Sequence, residues 1–97
     1  MPLTEQQKKQ LRGLGHKLKP VIMVGNNGLT KALLDEFDRS LAHHELLKIK
    51  LTVGDREVRD QAIEALREHG HAELIQRVGN TALLFRKRKK NSAFESI

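Results

Sequence analysis

The sequence predicts a single α+β (α/β) domain with elements in the order α-β-α-β-α-β-β around a four-stranded mixed sheet. Three observations point there. Apolar and polar residues alternate cleanly from Leu46 to Val53, the pattern of a half-buried strand. The stretches before and after it repeat their apolar residues at helical spacing. Near the C-terminus, Val78-Gly79-Asn80-Thr81 separates two short β-prone runs, which marks a hairpin. With 97 residues the chain can enclose one modest core but not two.

The first helix is expected over about residues 4–16. Thr4 followed by Gln7 is a capping-box pattern, and Leu11, Leu14 and Leu18 recur at helical spacing. Gly13 and Gly15 weaken its second half, and Pro20 lies just beyond. The remaining face is basic, with Lys8, Lys9 and Arg12, then Lys17 and Lys19. Val21 to Val24 read as a short buried strand, about 20–24, leading into the loop Gly25-Asn26-Asn27-Gly28. A second helix follows over about 29–43, its core stripe made by Leu29, Leu33, Phe37 and Leu41 and widened by Ala32 and Leu34. Asp35, Glu36 and Asp38 fall on its solvated side.

The second strand, about 46–53, turns Leu47, Ile49, Leu51 and Val53 to one face and Lys48, Lys50 and Thr52 to the other. Asp55 is a good N-cap for a third helix over about 56–69, with Val58, Ala62, Ala65 and Leu66 as its stripe and Gly70 as its stop. The last two strands are expected at about 72–78 and 81–86. Helices between the first three strands favour parallel pairing through right-handed crossovers, and the hairpin makes the fourth antiparallel. Residues 1–88 form the expected domain, and residues 89–97 read as a basic, disordered tail.

Eighteen Lys and Arg against twelve Asp and Glu give a formal charge of +6 and a pI near 10.0, which points to an anionic partner such as nucleic acid. The charge is uneven: residues 1–31 carry +5, residues 32–76 carry −4, and residues 77–97 carry +5. If the fold brings the two basic ends to one side, they make one binding face. The absence of cysteine excludes a disulfide framework and a thiolate zinc site. No apolar run approaches the roughly 20 residues that span a bilayer, so a cytoplasmic protein is expected.

The glycine loop holds the most specific chemistry. A strand running through a short loop into a helix leaves free backbone N–H groups at the helix N-terminus, where the dipole also favours an anion. Gly25 and Gly28 let the backbone turn and let a phosphate approach closely, and Lys31 adds a cation in the first helical turn. Asn-Gly is equally a common turn that binds nothing. The loop lacks G-x-G-x-x-G and G-K-[ST], so neither a dinucleotide fold nor a nucleotide-hydrolysing loop is expected.

Six blocks together resemble the CRM domain (chloroplast RNA splicing and ribosome maturation) in its stand-alone bacterial form, the YhbY-like proteins. They are Leu11-Arg12-Gly13-Leu14, Leu18-Lys19-Pro20-Val21, Gly25 to Thr30, His43 to Lys50, Asp55-Arg56-Glu57 and Gly79 to Arg86. The likeness spans about residues 3–88. It implies a fold similar to the C-terminal domain of translation initiation factor three. It also implies RNA binding through a GxxG loop comparable to that of KH domains, and association with precursors of the large (50S) ribosomal subunit. The residues carried over are Gly25, Asn26, Asn27 and Gly28. Arg12, Lys17, Lys19, Lys31, Lys48, Lys50, Arg86, Lys87 and Arg88 join them as the surrounding basic side chains. A KH loop joins two helices, whereas this one joins strand to helix. The single copy favours ribosome assembly over intron splicing, with ribosomal RNA and the pre-50S particle as partners, and ribosomal proteins or assembly factors beside them.

Composition bears on how RNA would be read. There is no Trp or Tyr, and the three Phe fall in a helix, a strand and the tail, so no platform for stacking unpaired bases is visible. Recognition of structured RNA by backbone and shape is expected. The five histidines show no metal-ligand spacing, and no nucleophile, paired-carboxylate or phosphotransfer motif appears. No cofactor, metal or enzymatic activity is expected, and the chain is expected to be a monomer. A different reading makes it a docking adaptor that offers the acidic surface of the second and third helices to a protein. The 86–90 run could also bind RNA as a plain polycation.

Overall fold

The computed structural model describes residues 3–97, so the start of the expected 1–88 domain lies outside it. The elements follow in order as α1 (Glu5–Gly15), β1 (Ile22–Val24), α2 (Lys31–His44), β2 (Leu46–Leu51), α3 (Arg56–Gly70), β3 (Glu73–Val78) and β4 (Thr81–Phe85). Each helix starts where a side chain can cap it. Thr4 accepts from the Gln7 amide while the Gln7 side chain accepts from the Thr4 amide, Thr30 accepts from the Leu33 amide, and Asp55 accepts from the Val58 amide. With Thr30 as cap, α2 begins two residues later than the apolar stripe suggests. Leu29 then lies just outside the helix and still packs on the core.

The sheet order is β1-β2-β4-β3. β1 pairs parallel with β2, whereas β4 is antiparallel to both β2 and β3. The expected parallel pairing therefore holds for the first two strands only, because β4 is inserted between β2 and β3. One sheet face, with Ile22, Val24, Leu47, Ile49, Leu51, Ala82 and Leu84, packs against α2 and α3 through Phe37, Leu41, Ala62, Ile63 and Leu66. The other face carries Leu46, Ile75, Leu83 and Phe85 under Leu11 of α1, with Leu18, Phe94 and Ile97 at the margin.

Several sequence expectations change at this level. In β1 only Ile22 and Val24, on the α2–α3 face, are buried, and Met23, on the opposite face, is 62% exposed. Ala32, Val58 and Ala65 face solvent, and Ile63 takes the core position instead. Gly70 does not end α3 by its own conformation. It is the last helical residue, and His71 adopts the left-handed turn (φ 49°). Gly70 is required for space, since a Cβ there would lie 2.8 Å from Cε2 of Phe37 and 3.0 Å from Cδ2 of Leu41.

The C-terminal segment is packed rather than disordered. Glu45, fully buried and held at a positive φ of 66° after α2, supplies the anchor. Its carboxylate accepts from the amides of Arg88 and Ala93, both at 2.8 Å, and from the Ser92 hydroxyl, and the Arg88 guanidinium lies 3.3 Å away. Burial pushes the Glu45 carboxyl up, but the Ser92, Arg88 and Ala93 hydrogen bonds and the Arg88 charge outweigh it and hold the pKa below the ordinary value. Beyond this anchor, Phe94 meets Phe85 edge-to-face at 5.2 Å, and the Ile97 carbonyl accepts from the Gln7 side chain at 2.9 Å. Sequence composition shows the charge of this segment but not the buried carboxylate that receives it.

Candidate nucleic-acid interface

Strand direction decides which loops meet. β1, β2 and β3 all finish, and β4 begins, at one end of the sheet. That end therefore gathers the Gly25–Gly28 loop, the 52–55 connection, the N-termini of α2 and α3, and the Gly79-Asn80 turn. The two connections are tied in place. The Thr52 amide donates to the Val24 carbonyl at 2.9 Å, and the Leu51 amide donates to the Asn80 carbonyl at 2.7 Å.

Within the glycine loop, the Gly28 amide closes a turn onto the Gly25 carbonyl at 2.9 Å, and the Thr30 amide donates to the Gly28 carbonyl at 3.2 Å. Gly28 has φ +66°, where an L side chain is strained. Gly25 has an ordinary φ, and a Cβ built on it would meet nothing within 4 Å, so the fold itself does not demand glycine there. The amides of Asn26, Asn27 and Leu29 donate to no acceptor among the described residues. Neither asparagine side chain makes a hydrogen bond among those residues, and both are exposed. The opening amides of α2 add their unpaired N–H groups and the positive end of the helix dipole to the same site. The arrangement can receive one anionic oxygen cluster with close backbone approach.

The basic residues named from sequence divide into three groups. Lys31 is the exposed first residue of α2 and borders the loop, and Lys50 lies opposite Met23 in the β1–β2 register, on the sheet face away from α2. Lys48 sits farther along the α1 side of the sheet, where it lines a cavity of about 130 Å³ with Gly15, His16 and Thr81. Arg12 belongs to α1, and Lys17 and Lys19 are exposed in the connection that enters β1 from its other end.

Arg86, Lys87 and Arg88 form the third group, at the far end of the sheet from the glycine loop. Arg86 donates to the Gly70 carbonyl at 2.7 Å and to Asp38 at 3.0 Å, joining the end of α3 to α2. Arg88 donates to the carbonyls of Ala42, His43 and Asn91 and pairs with Glu45. These guanidinium groups satisfy helix C-termini, so the basic 86–90 run and the loop do not form the single face considered from sequence. Lys87 is exposed, with its ammonium 3.5 Å from the Glu95 carbonyl.

Sequence reasoning passed over Arg56, Arg59 and Arg77, which come together at the loop-bearing end of the sheet. Arg56 and Arg59 share one helix face by spacing, but only the observed strand order sets Arg77 beside them. Among the described residues no three His, Asp or Glu side chains cluster as metal ligands, and no helix is long and apolar enough to cross a membrane.

Comparison with known proteins bears on the family and the fold. The model of the CRS1/YhbY (CRM) domain matches residues 3–86. A probable RNA-binding protein of Pseudomonas aeruginosa is 43% identical over 90 residues, covering 93% of this chain and 86% of that protein. An RNA-binding protein of Haemophilus influenzae is 42% identical over 84 residues, covering 87% of this chain and 85% of that one. The solution structure of a hypothetical protein from Staphylococcus aureus superposes with a TM-score of 0.79 at 28% identity, covering 94% of this chain and 95% of the other.

Proposed function

Because the chain belongs to the CRS1/YhbY (CRM) domain family, we propose that it binds structured ribosomal RNA through the Gly25–Gly28 loop and acts in assembly of the large (50S) ribosomal subunit. One observation carries the site. At the N-terminus of α2, the loop presents unpaired amides beside a glycine whose missing side chain the fold does not require. Open space at Gly25 suits a ligand that approaches the backbone closely, and a phosphodiester group does so with the charge the helix end favours. Lys31 beside the loop, and Lys50 on the sheet face away from α2, complement further phosphates.

RNA binding in general is supported by the names of the relatives. The preference for structured ribosomal RNA and the role in 50S assembly rest on the family resemblance and on the lack of Trp, Tyr or an exposed Phe. Of the three Phe, Phe37 and Phe85 are buried and Phe94 is half-buried against Phe85, so no Phe ring is free to stack a base. The adaptor reading loses part of its surface, since Asp38 is engaged by Arg86.

The test is a salt series of binding to large-subunit ribosomal RNA fragments and to an unrelated duplex. The parent is compared with Asn26→Asp/Asn27→Asp and with Lys87→Gln/Lys89→Gln/Lys90→Gln. The C-terminal run is tested by charge substitution, because a truncated chain would lack Arg88, Ser92 and Ala93, the partners of buried Glu45. The loop variant is expected to lose the preference for ribosomal RNA, and the lysine variant to lower only the salt slope. A loop variant that binds as the parent does, beside a lysine variant that loses all affinity, refutes the loop as the recognition element.

A further inference from the structure

The sheet end that carries the glycine loop has a second polar feature at its opposite edge. Arg56 opens α3, Arg59 lies one turn on, and Arg77 precedes the last residue of β3. With Gly79 and Asn80 they line a cleft of about 430 Å³. No carboxylate lines this cleft. Asp55 is turned to the helix, where it accepts from the Val58 amide at 3.0 Å, and Asp60 pairs with Arg77. Arg77 faces α3 because its partner in the β3–β4 register is Ala82, a member of the core beneath that helix.

The three guanidinium groups are fixed to different degrees. Arg59 donates through Nη1 to the Gly54 carbonyl at 3.0 Å, which holds it over the 52–55 connection. Arg77 is held by Asp60 and is only 20% exposed in its side chain. Arg56 forms no ion pair among the described residues. Each guanidinium has five N–H donors. The partners named for Arg59 and Arg77 engage one terminal nitrogen each, and the Nε of both is buried with no acceptor among the described residues. Gly79, at φ +58°, adds no side chain to the cleft wall, and a Cβ there would meet nothing within 4 Å.

We infer that this cleft is a second phosphate site, which takes a backbone phosphate of the same RNA whose chain lies on the Gly25–Gly28 loop. This rests on the function proposed above. Arginine's planar fork matches phosphate oxygens two at a time, so a cluster of three is a stronger phosphate receptor than scattered lysines. No aromatic or large apolar side chain lines the cleft, so it does not suit the base of a free nucleotide. The loop is at the β1 edge and the cleft at the β3 edge, three strand spacings away, or about 14 Å. One phosphate cannot reach both, but a short RNA segment lying across this end of the sheet can. The pair would set the direction in which RNA crosses the domain, which a single site cannot do.

The test measures anisotropy of a labelled large-subunit ribosomal RNA fragment across a potassium chloride series. The proteins are the parent, Arg56→Gln, Arg56→Gln/Arg59→Gln and Asn26→Asp/Asn27→Asp, with a labelled oligo-glutamate peptide as a second probe. The double arginine variant is expected to bind RNA roughly 10-fold more weakly and to lower the salt slope by about 1. Arg56→Gln is expected to move the same way by less. Since Arg56 has no ion-pair partner to lose, it keeps the test valid if the double variant is unstable. If the loop variant loses RNA while both arginine variants keep the parent's affinity and slope, the cleft is not an RNA site and the proposed function stands. If loop and arginine variants all match the parent, the proposed function falls together with this inference. If the parent prefers oligo-glutamate to RNA, and the arginine variants lose only the peptide, the cleft receives acidic protein and the inference is overturned.

Discussion

Replacing Glu45 with Gln tests the anchor of the C-terminal segment. One carboxylate oxygen accepts from the Arg88 amide and the Ser92 hydroxyl, and the other accepts from the Ala93 amide and faces the Arg88 guanidinium. Glutamine offers one oxygen and one NH₂ in the same volume. The better orientation places the NH₂ toward Ser92, whose hydroxyl can turn to accept it, and strands the Arg88 amide. A stranded buried donor costs about 1–3 kcal/mol, and the loss of charge from the remaining bonds adds about 1 kcal/mol. We expect destabilisation of about 2–4 kcal/mol, a large part of the roughly 5–15 kcal/mol that holds a small domain together. That corresponds to a fall in Tm of roughly 10–20 °C, measured by circular dichroism, with urea unfolding as the second assay. The pH dependence has a fixed sign. Because the folded pKa lies below the ordinary value of 4.5, the charge-dependent stabilisation is complete above that pH and is lost as the pH falls through the folded pKa. The gap between parent and variant is therefore widest at neutral pH and closes in acid. A neutral-pH difference under about 0.5 kcal/mol, within the range of an ordinary surface substitution, would show that the anchor contributes little.

Gly28→Ala is expected to lose about 1–2 kcal/mol by forcing a side chain into positive φ, whereas Gly25→Ala should unfold like the parent and bind RNA more weakly. Paired urea melts and anisotropy titrations separate the two. Gly70→Ala should lower stability by about 1–3 kcal/mol in spite of alanine's better helix propensity, because its methyl meets the Phe37 ring; thermal unfolding reads it. Arg86→Ala should lower Tm by releasing the Gly70 carbonyl and Asp38, while the salt slope of RNA binding stays at the parent's value. A changed slope would return Arg86 to the RNA-contacting set.

Local signals in the chain are legible because they depend on neighbours in sequence. Thr4 and Asp55 each accept from an amide three residues on and mark their helix starts in the sequence, whereas the apolar stripe from Leu29 masks the Thr30 cap of α2. The alternation of β2 reports its two environments, and the Gly79-Asn80 turn reports the hairpin. Long-range placement is what escapes. Nothing local says that β4 slips between β2 and β3, yet that order brings Arg77 and Asn80 to Arg56 and Arg59. The charge of Arg86 and Arg88 suggested RNA contact, but their partners are backbone carbonyls at helix ends more than a dozen residues away. Met23 illustrates the same limit, since it alternates with Ile22 and Val24 onto the opposite sheet face and stays exposed there.

The central position of β4 also bears on how the domain assembles. β2 and β3 run in the same direction but share no ladder, and only β4 joins them. The β3–β4 hairpin is a local closure, whereas docking β4 on β2 brings together pairs as distant as Leu46 and Phe85. The loop entropy of that second step is met before most of the sheet's contacts exist. Neither the β1–β2–α2 half nor the hairpin alone presents a complete core, so partly built forms should be sparsely populated. Folding is then expected to be a single cooperative event whose barrier includes the β2–β4 junction. Substitutions at Leu47 and Leu84, which face each other across it, should slow folding more than they speed unfolding.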